Sequence, residues 1–130
     1  MTQGAGGETA TLYAKLEERY LARDQKGASH VFYDLVKATI PKDKEAAFNR
    51  WYNEEHCPQL LQWKGAVSAR RYRAIMGEDR YQYIAVYEIQ DEPTFRRLLE
   101  SDHMKTLRTE YDAHFPESER ARFAYEQVWP

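Results

Sequence analysis

The chain has 130 residues, a formal net charge of −2 at pH 7 and a charged fraction of 31%. The length fits one domain, since domains commonly span roughly 100–200 residues, and the balanced charge gives no reason to expect nucleic acid as a partner. No apolar run approaches the roughly 18 residues that cross a bilayer, and residues 1–7 show no signal peptide. These features predict no membrane partner and a cytoplasmic location.

The first half of the chain predicts a helix, a strand and a second helix. Residues 1–28 are expected to form an N-terminal extension with a helix over about 9–24, and residues 29–130 the main domain. Residues 30–40 are rich in β-branched and aromatic side chains and predict a strand. A helix is expected from an N-cap at Asp43 to His56, and Pro58 is expected to limit it.

The second half predicts a hairpin, helices and a last strand. Residues 66–75 and 80–89 are expected to pair through a turn at 76–79. Asp91 is a predicted helix N-cap, a further helical stretch covers 105–111, and residues 120–129 form the last strand. Without the N-terminal helix the order is β-α-β-β-α-β, which is the ferredoxin-like pattern of an α+β domain with both helices on one face of an antiparallel sheet.

Aromatic residues are abundant on the predicted strands. The chain has ten tyrosines and three tryptophans, which favours a pocket or an interface, although half-exposed tyrosines are also common on sheets. An aromatic sheet face needs a cover in water. The simplest cover is a second copy related by a two-fold axis, so we predict a homodimer whose two sheets enclose a barrel.

Metal and cofactor sites are not predicted. Cys57 is the only cysteine, and the four histidines have neither His-x-His nor His-Glu-x-x-His spacing. No glycine-rich phosphate loop follows a predicted strand. Haem bound through one histidine leaves little trace in a sequence, so haem or ferrous iron stays open. Cys57 itself is expected to be a buried, inert thiol.

The segment Trp51-Tyr-Asn-Glu-Glu-His56-Cys-Pro58 resembles the EthD-like family of dimeric α/β-barrel proteins, in which a helix ends in a tryptophan and a histidine before a proline. The strand at 83–89 and the helix at 95–101 are similar to that family as well, and the resemblance covers roughly residues 30–128. The chain departs from the pattern at Lys64, where a proline often precedes the glycine, and in its N-terminal extension.

The resemblance implies a pocket that binds a small molecule without a cofactor. Related dimeric α/β barrels include lactone isomerases, polyketide cyclases and anthrone-type monooxygenases, and in several a histidine moves a proton. We therefore expect a cofactor-independent lyase, isomerase or cyclase for an oxygenated, aromatic or polyketide-like substrate. The alternatives are a non-catalytic ligand-binding or structural dimer and a cofactor-free monooxygenase of the same fold.

His56 is the best candidate for a general acid/base, since histidine titrates near neutral pH. The alternative is a histidine that caps the end of the helix. Asn53 lies three residues earlier, on the same face of a regular helix, where it would orient the imidazole or hold a substrate oxygen. The alternative for Asn53 is an exposed polar residue.

Candidate substrate-binding residues carry rings, hydroxyls or a guanidinium: Tyr33, Trp51, Arg70, Tyr72, Tyr83 and Tyr87. Alternation puts Arg70 and Tyr72 on one strand face, and the sequence leaves open which face lines the cavity. Trp51 has a core role as its alternative, and His103 and His114 are expected at the surface. The catalytic hypothesis requires His56 to border a cavity together with at least one further polar group.

Overall fold

The computed structural model describes residues 31–130, so the predicted extension over residues 1–28 lies outside the described residues. The strands are β1 (Phe32–Thr39), β2 (Ala66–Arg73), β3 (Tyr83–Ile89) and β4 (Glu119–Glu126). The helices are α1 (Glu45–Trp51), a π-helical turn (Tyr52–His56), α2 (Cys57–Leu60), α3 (Glu92–Glu100) and α4 (Asp102–His114), and a 3-10 turn (Lys42–Lys44) precedes α1. No helix in this described part is long and apolar enough to cross a membrane.

The four strands form one antiparallel sheet in the order β2-β3-β1-β4. This is the strand order of the ferredoxin-like unit, so the predicted fold class is confirmed. The central strand β1 pairs with β3 on one side and β4 on the other, and Asp34 lies between Tyr87 and Ala124 in that register.

The two faces of the sheet differ in their cover. Along β1 every second residue is buried, and Phe32, Asp34, Val36 and Ala38 face the helices. The helices bury Phe48, Leu98, Leu107 and other apolar residues against this face. The opposite face, which we call the open face, carries half-buried or exposed residues: Tyr33, Leu35, Arg70, Tyr72, Ile84, Val86, Phe123 and Tyr125.

Several local predictions differ from the structure, and the last strand ends at Glu126 rather than at residue 129. The hairpin strands are shorter than expected, because residues 74–80 are exposed and form no continuous ladder. The prediction that Pro58 limits the helix is wrong, since helical backbone continues through Pro58 to Leu60. Pro58 lies directly after the π-helical turn, within a continuous run of helical backbone.

Helices α3 and α4 begin next to capping side chains, whereas the predicted N-cap at Asp43 is wrong, because Asp43 lies inside the 3-10 turn and α1 follows Lys44 without a side-chain cap. The Asp91 carboxylate accepts a hydrogen bond from the Thr94 N–H at 2.9 Å, as its predicted N-cap role requires. Ser101 separates α3 from α4, and its hydroxyl accepts from the Met104 N–H at 3.1 Å. Before β2, Gly65 has a φ of +100°, and a Cβ there would collide with the Thr94 side chain.

Candidate functional site

The π-helical turn determines where His56 points. The Cys57 N–H donates to the Tyr52 carbonyl, five residues back, instead of four residues back as in an α-helix. Residues five apart therefore approach each other, and the His56 ring stacks on Trp51 with centroids 4.6 Å apart and planes 21° apart. Tyr52 and Tyr111 meet the same imidazole edge-on. His56 is thus held by three rings.

His56 lines a cavity of about 210 Å3 between the sheet and the helices. An apolar cavity of roughly 150 Å3 holds benzene, so this space suits a molecule with a single substituted ring. The lining residues are Val36, Tyr52, His56, Leu60, Met104, Leu107, Arg108, Tyr111, Arg120 and Arg122. An apolar wall with a few converging polar groups is the usual composition of a small-molecule site.

The imidazole of His56 is neutral at physiological pH. Burial lowers its pKa to about 4, and the positive charges of Arg120, Arg122 and Arg71 lower it further in the same direction. The side chain is 8% exposed. Its Nδ1 is enclosed and has no hydrogen-bond partner among residues 31–130. Only Nε2 is therefore left to meet a molecule in the cavity.

Asp34 is a fully buried carboxylate beside this cavity. Its Oδ1 lies 3.0 Å from Arg122 Nε, yet the contact lacks hydrogen-bond geometry and neither carboxylate oxygen has a hydrogen-bond partner within residues 31–130. Burial raises the pKa of Asp34 to about 6, and the charges of Arg122 and Arg108 oppose that rise. The desolvation of Asp34 therefore outweighs its ion pair.

The two phenols of the cavity stay protonated. Burial raises the pKa of Tyr52 and of Tyr111, so each keeps a hydroxyl that is able to donate a hydrogen bond. The Tyr111 hydroxyl pairs with the Ser118 hydroxyl at 2.8 Å. The Arg71 guanidinium lies 4.3 Å from the centre of the Tyr52 ring, outside the cavity wall.

Asn53 lies away from His56. Its side chain is exposed, and its Oδ1 accepts a hydrogen bond from Arg71 at 2.9 Å. Asn53, Tyr72 and Tyr83 line a separate, open groove beside β2. Tyr83 donates to Glu45 there and accepts from Asn49. These three predicted residues therefore lie apart from His56.

The remaining predicted residues also lie apart from the cavity. Tyr33 and Arg70 belong to the open face, and Arg70 donates to the Ser68 hydroxyl at 3.1 Å. Tyr87 is fully buried and lies 3.8 Å from the Cys57 sulfur. Trp51 is a core residue that also supports the His56 ring. His56 is thus the predicted residue that reaches the cavity, with Trp51 directly behind it.

Five residues that line the cavity, and Asp34 beside it, were not singled out from the sequence; the five are Tyr52, Arg108, Tyr111, Arg120 and Arg122. The pattern did contain a signal, because Asp34 alternates with buried apolar residues on β1, and a carboxylate in such a position is unusual. Arg120 and Arg122 likewise alternate on β4, opposite Ala38 and Val36.

His103, His114 and the Cys57 thiol have plain structural roles. His114 is exposed as predicted, whereas His103 is half-buried and its ring lies 2.8 Å from the Gln59 carbonyl. Cys57 is buried and free, and burial raises the pKa of its thiol. Among the residues that the structure describes, no three His, Cys, Asp or Glu side chains converge as metal ligands would.

Comparison with known proteins extends the picture of the fold. No family model matches the chain. The chain is 28% identical over 83 residues to core atranone cluster protein 1 of Stachybotrys chlorohalonatus, a match that covers 64% of this chain. The chain spans about a third (34%) of the length of this curated relative.

Solved structures that resemble this one include an EthD family protein and a cofactor-independent oxygenase. An EthD family protein from Bacillus halodurans superposes with a TM-score of 0.62 at 16% identity, over 75% of this chain and 99% of that protein. SnoaB, a cofactor-independent oxygenase from Streptomyces nogalater, superposes with a TM-score of 0.53 at 18% identity, over 79% of this chain and 97% of that protein. The chain therefore has the ferredoxin-like fold of the EthD-like proteins, as the tryptophan-and-histidine segment indicated.

Proposed function

We propose that the chain is a cofactor-independent enzyme that moves a proton on a small oxygenated substrate, aromatic or polyketide-like, with His56 as the general acid/base. The observation that carries the proposal is the placement of His56, which is held by three rings and lines the 210 Å3 cavity. His56 would take a proton from the substrate and give it back at another atom. Which atom receives the proton would decide whether the reaction is of the lyase, isomerase or cyclase type.

The electrostatics of His56 fit a base that acts only when charge develops on the substrate. A neutral imidazole at pH 7 has a free lone pair on Nε2, which would accept a proton from carbon next to a carbonyl group. The arginines disfavour the imidazolium in the empty cavity. An enolate formed beside it supplies the missing negative charge, so the imidazolium is stabilised as the proton moves.

The other polar groups of the cavity would hold the substrate oxygen. Tyr52 and Tyr111 keep their hydroxyl protons, and Arg120 and Arg122 carry permanent positive charges. Donors of this kind stabilise an enolate oxygen best in a water-poor site. The apolar wall formed by Val36, Leu60 and Leu107 supports such a site.

Proton transfer is testable without knowledge of the natural product. Phenolic methyl ketones would be incubated with the protein in deuterated buffer, and exchange of the protons next to the carbonyl would be followed by NMR. We expect exchange above the buffer rate, and we expect His56→Gln to slow it by about 100-fold or more, the usual contribution of a positioned acid/base.

His114→Gln is the matched control, because it makes the same substitution at an exposed histidine that also contacts the Trp51 ring. We expect this variant to exchange protons at the parent rate. Equal rates for the parent protein and His56→Gln would contradict the catalytic proposal. The absence of exchange across the whole panel, with ligand binding retained, would favour a non-catalytic ligand-binding module.

A second candidate is a cofactor-free monooxygenase of the same fold. The structural likeness to SnoaB favours it, since that protein is a cofactor-independent oxygenase. Here His56 would take a phenolic proton, and the resulting electron-rich ring would react with O2. An oxygen electrode separates the candidates, because proton transfer alone consumes no O2.

We also propose a homodimer built on the open face of the sheet. Within residues 31–130, no helix covers Leu35, Val86 and Phe123 on this face, which is a large apolar surface for a lone domain. Sedimentation equilibrium would then give twice the chain mass, and Phe123→Lys would lower it to one chain. Ala113→Lys, on the exposed side of α4, is the control. A parent protein that sediments as a single chain would contradict the dimer.

The cytoplasmic location stays a prediction.

A further inference from the structure

The cavity beside His56 is unusually rich in arginine for its size. Arg108, Arg120 and Arg122 are three of its ten lining residues, and none of the ten is acidic. The other seven are apolar residues, two tyrosines and His56, which is neutral. Such a lining places three fixed positive charges around a space that suits a single ring.

Arg108 has no ion pair within the described residues 31–130 to neutralise it. This residue of α4 forms neither a hydrogen bond nor a salt bridge with any residue between 31 and 130. Its charge is felt across the cavity at Asp34, where it lowers the carboxyl pKa. A guanidinium offers five N–H donors in a planar fork, so Arg108 has all of them available to a ligand.

Arg120 and Arg122 come from alternate positions of β4 and so point to the same side of the sheet. Arg120 pairs at 2.8 Å with Asp112, a residue that is 67% exposed, and its guanidinium lies 3.9 Å from the Tyr111 ring centre. The exposed Asp112 is well solvated and weakly held, which leaves Arg120 able to serve a ligand.

Arg122 is engaged only in part. Its Nε lies 3.0 Å from the buried Asp34 Oδ1, and its Nη1 lies 3.8 Å from the Met104 sulfur, which is a weak acceptor. The terminal nitrogens of the fork thus lack a strong acceptor. A planar carboxylate is the group whose two oxygens match this fork.

We propose that the cavity selects substrates that carry a carboxylate on a single aromatic ring, and that Arg108, Arg120 and Arg122 bind this carboxylate. The inference deepens the proposed function, because it names the substrate class of the same site. The apolar wall would hold the ring, and the anionic group would balance the positive charge of Arg108, which pairs with no residue between 31 and 130.

The test measures binding rather than turnover. Calorimetric titration would compare benzoate and 2-hydroxybenzoate with benzamide and phenol, which have similar shapes and no charge at pH 7. We expect the carboxylates to bind at least about tenfold more tightly than benzamide, the gain that one charge-assisted hydrogen bond supplies. Raising the salt concentration should narrow that difference.

Arg108→Met is the main variant, and Arg96→Met is its matched control. Arg96 is an exposed arginine of α3 with a single partner, Glu92, so its replacement changes the net charge equally without touching the cavity. We expect Arg108→Met to weaken benzoate binding by about tenfold and Arg96→Met to leave it unchanged. Arg108→Lys keeps the positive charge but not the planar fork of donors, so its affinity for benzoate should lie between those of Arg108→Met and Arg96→Met. This variant also guards against the possibility that Arg108→Met binds weakly only because it folds poorly.

Two results would overturn the proposal: equal affinities for benzoate and benzamide, or equal losses of benzoate binding in Arg108→Met and Arg96→Met. Preferential binding of inorganic phosphate or of phenol over benzoate would also overturn it. His56→Gln separates this inference from the proposed function. If that variant binds benzoate like the parent while proton exchange also stays at the parent rate, the acid/base role fails and the carboxylate site stands.

Discussion

Replacement of Asp34 by asparagine should stabilise the fold at neutral pH. The folded-state pKa of Asp34, about 6, lies above its ordinary value of 3.8, so the folded chain binds the proton more tightly than the unfolded chain. The ionisation of Asp34 therefore lowers the free energy of unfolding by its full amount above pH 6. This cost declines as the pH falls from 6 to 4 and disappears at lower pH. At 1.36 kcal/mol for each pKa unit, the cost at pH 7.5 is about 3 kcal/mol. Asparagine, which imitates the protonated acid, removes it.

Urea unfolding followed by circular dichroism measures this difference. We expect Asp34→Asn to exceed the parent by about 3 kcal/mol at pH 7.5 and by about 1 kcal/mol at pH 4.5. The melting temperature at pH 7.5 should rise by about 10 °C for a chain of this length. Comparing the two proteins at each pH cancels the titration of every other group. Asp43→Asn, at an exposed position, is the control and should change stability little.

A stability change that is negative or independent of pH would refute this reasoning. It would mean that the 3.0 Å ion pair with Arg122 outweighs the burial of Asp34. The Asp34 carboxylate would then stabilise the fold through Arg122, rather than destabilise it through its burial.

Three further predictions concern single residues. His56 should titrate near pH 4 in the NMR spectrum of the unliganded protein. Because its pKa is lower in the folded chain than in the unfolded chain, stability should fall as the pH drops from about 6.5 to 4, and His56→Gln should remove that fall; an ordinary titration near 6.5 would contradict this. Gly65→Ala should destabilise the fold more than Gly77→Ala, since both glycines have positive φ but only Gly65 abuts Thr94; equal losses in thermal melts would exclude the Thr94 clash. Asp91→Ala should cost about 1 kcal/mol in urea unfolding through loss of the N-cap of α3, and an unchanged midpoint would show that the cap is dispensable.

The fold was predictable because local and global signals agree in this chain. Strand β1 has buried residues at every second position, and α3 follows Asp91, whose carboxylate accepts a backbone N–H as its predicted N-cap role requires. These signals depend on neighbours in sequence alone. The ends of the hairpin strands were less predictable, because exposed residues at 74–80 leave the extent of pairing to weak contacts.

The cavity was only partly predictable because its residues come from five elements: β1, the π-helical turn, α2, α4 and β4. His56 belongs to a recognisable sequence segment. In contrast, Arg108, Arg120 and Arg122 look like ordinary surface residues when each is viewed on its own helix or strand. Their common position depends on β4 lying beside β1, which places them above Val36 and close to His56. Strand order is a tertiary property, so no spacing within β4 reveals it.

The placement of Asn53 illustrates a subtler limit. Three-residue spacing puts Asn53 and His56 on one face of a regular helix, and that geometry motivated their pairing. The π-helical turn inserts one residue into the repeat, so His56 turns inward onto Trp51 and Asn53 stays outside, bonded to Arg71. Such turns occur often at functional sites, because they aim one side chain at the cost of a weaker helix. The irregularity that defeated the periodicity argument is therefore the feature that places the imidazole in the cavity, which makes His56 a stronger candidate than its position in the sequence alone.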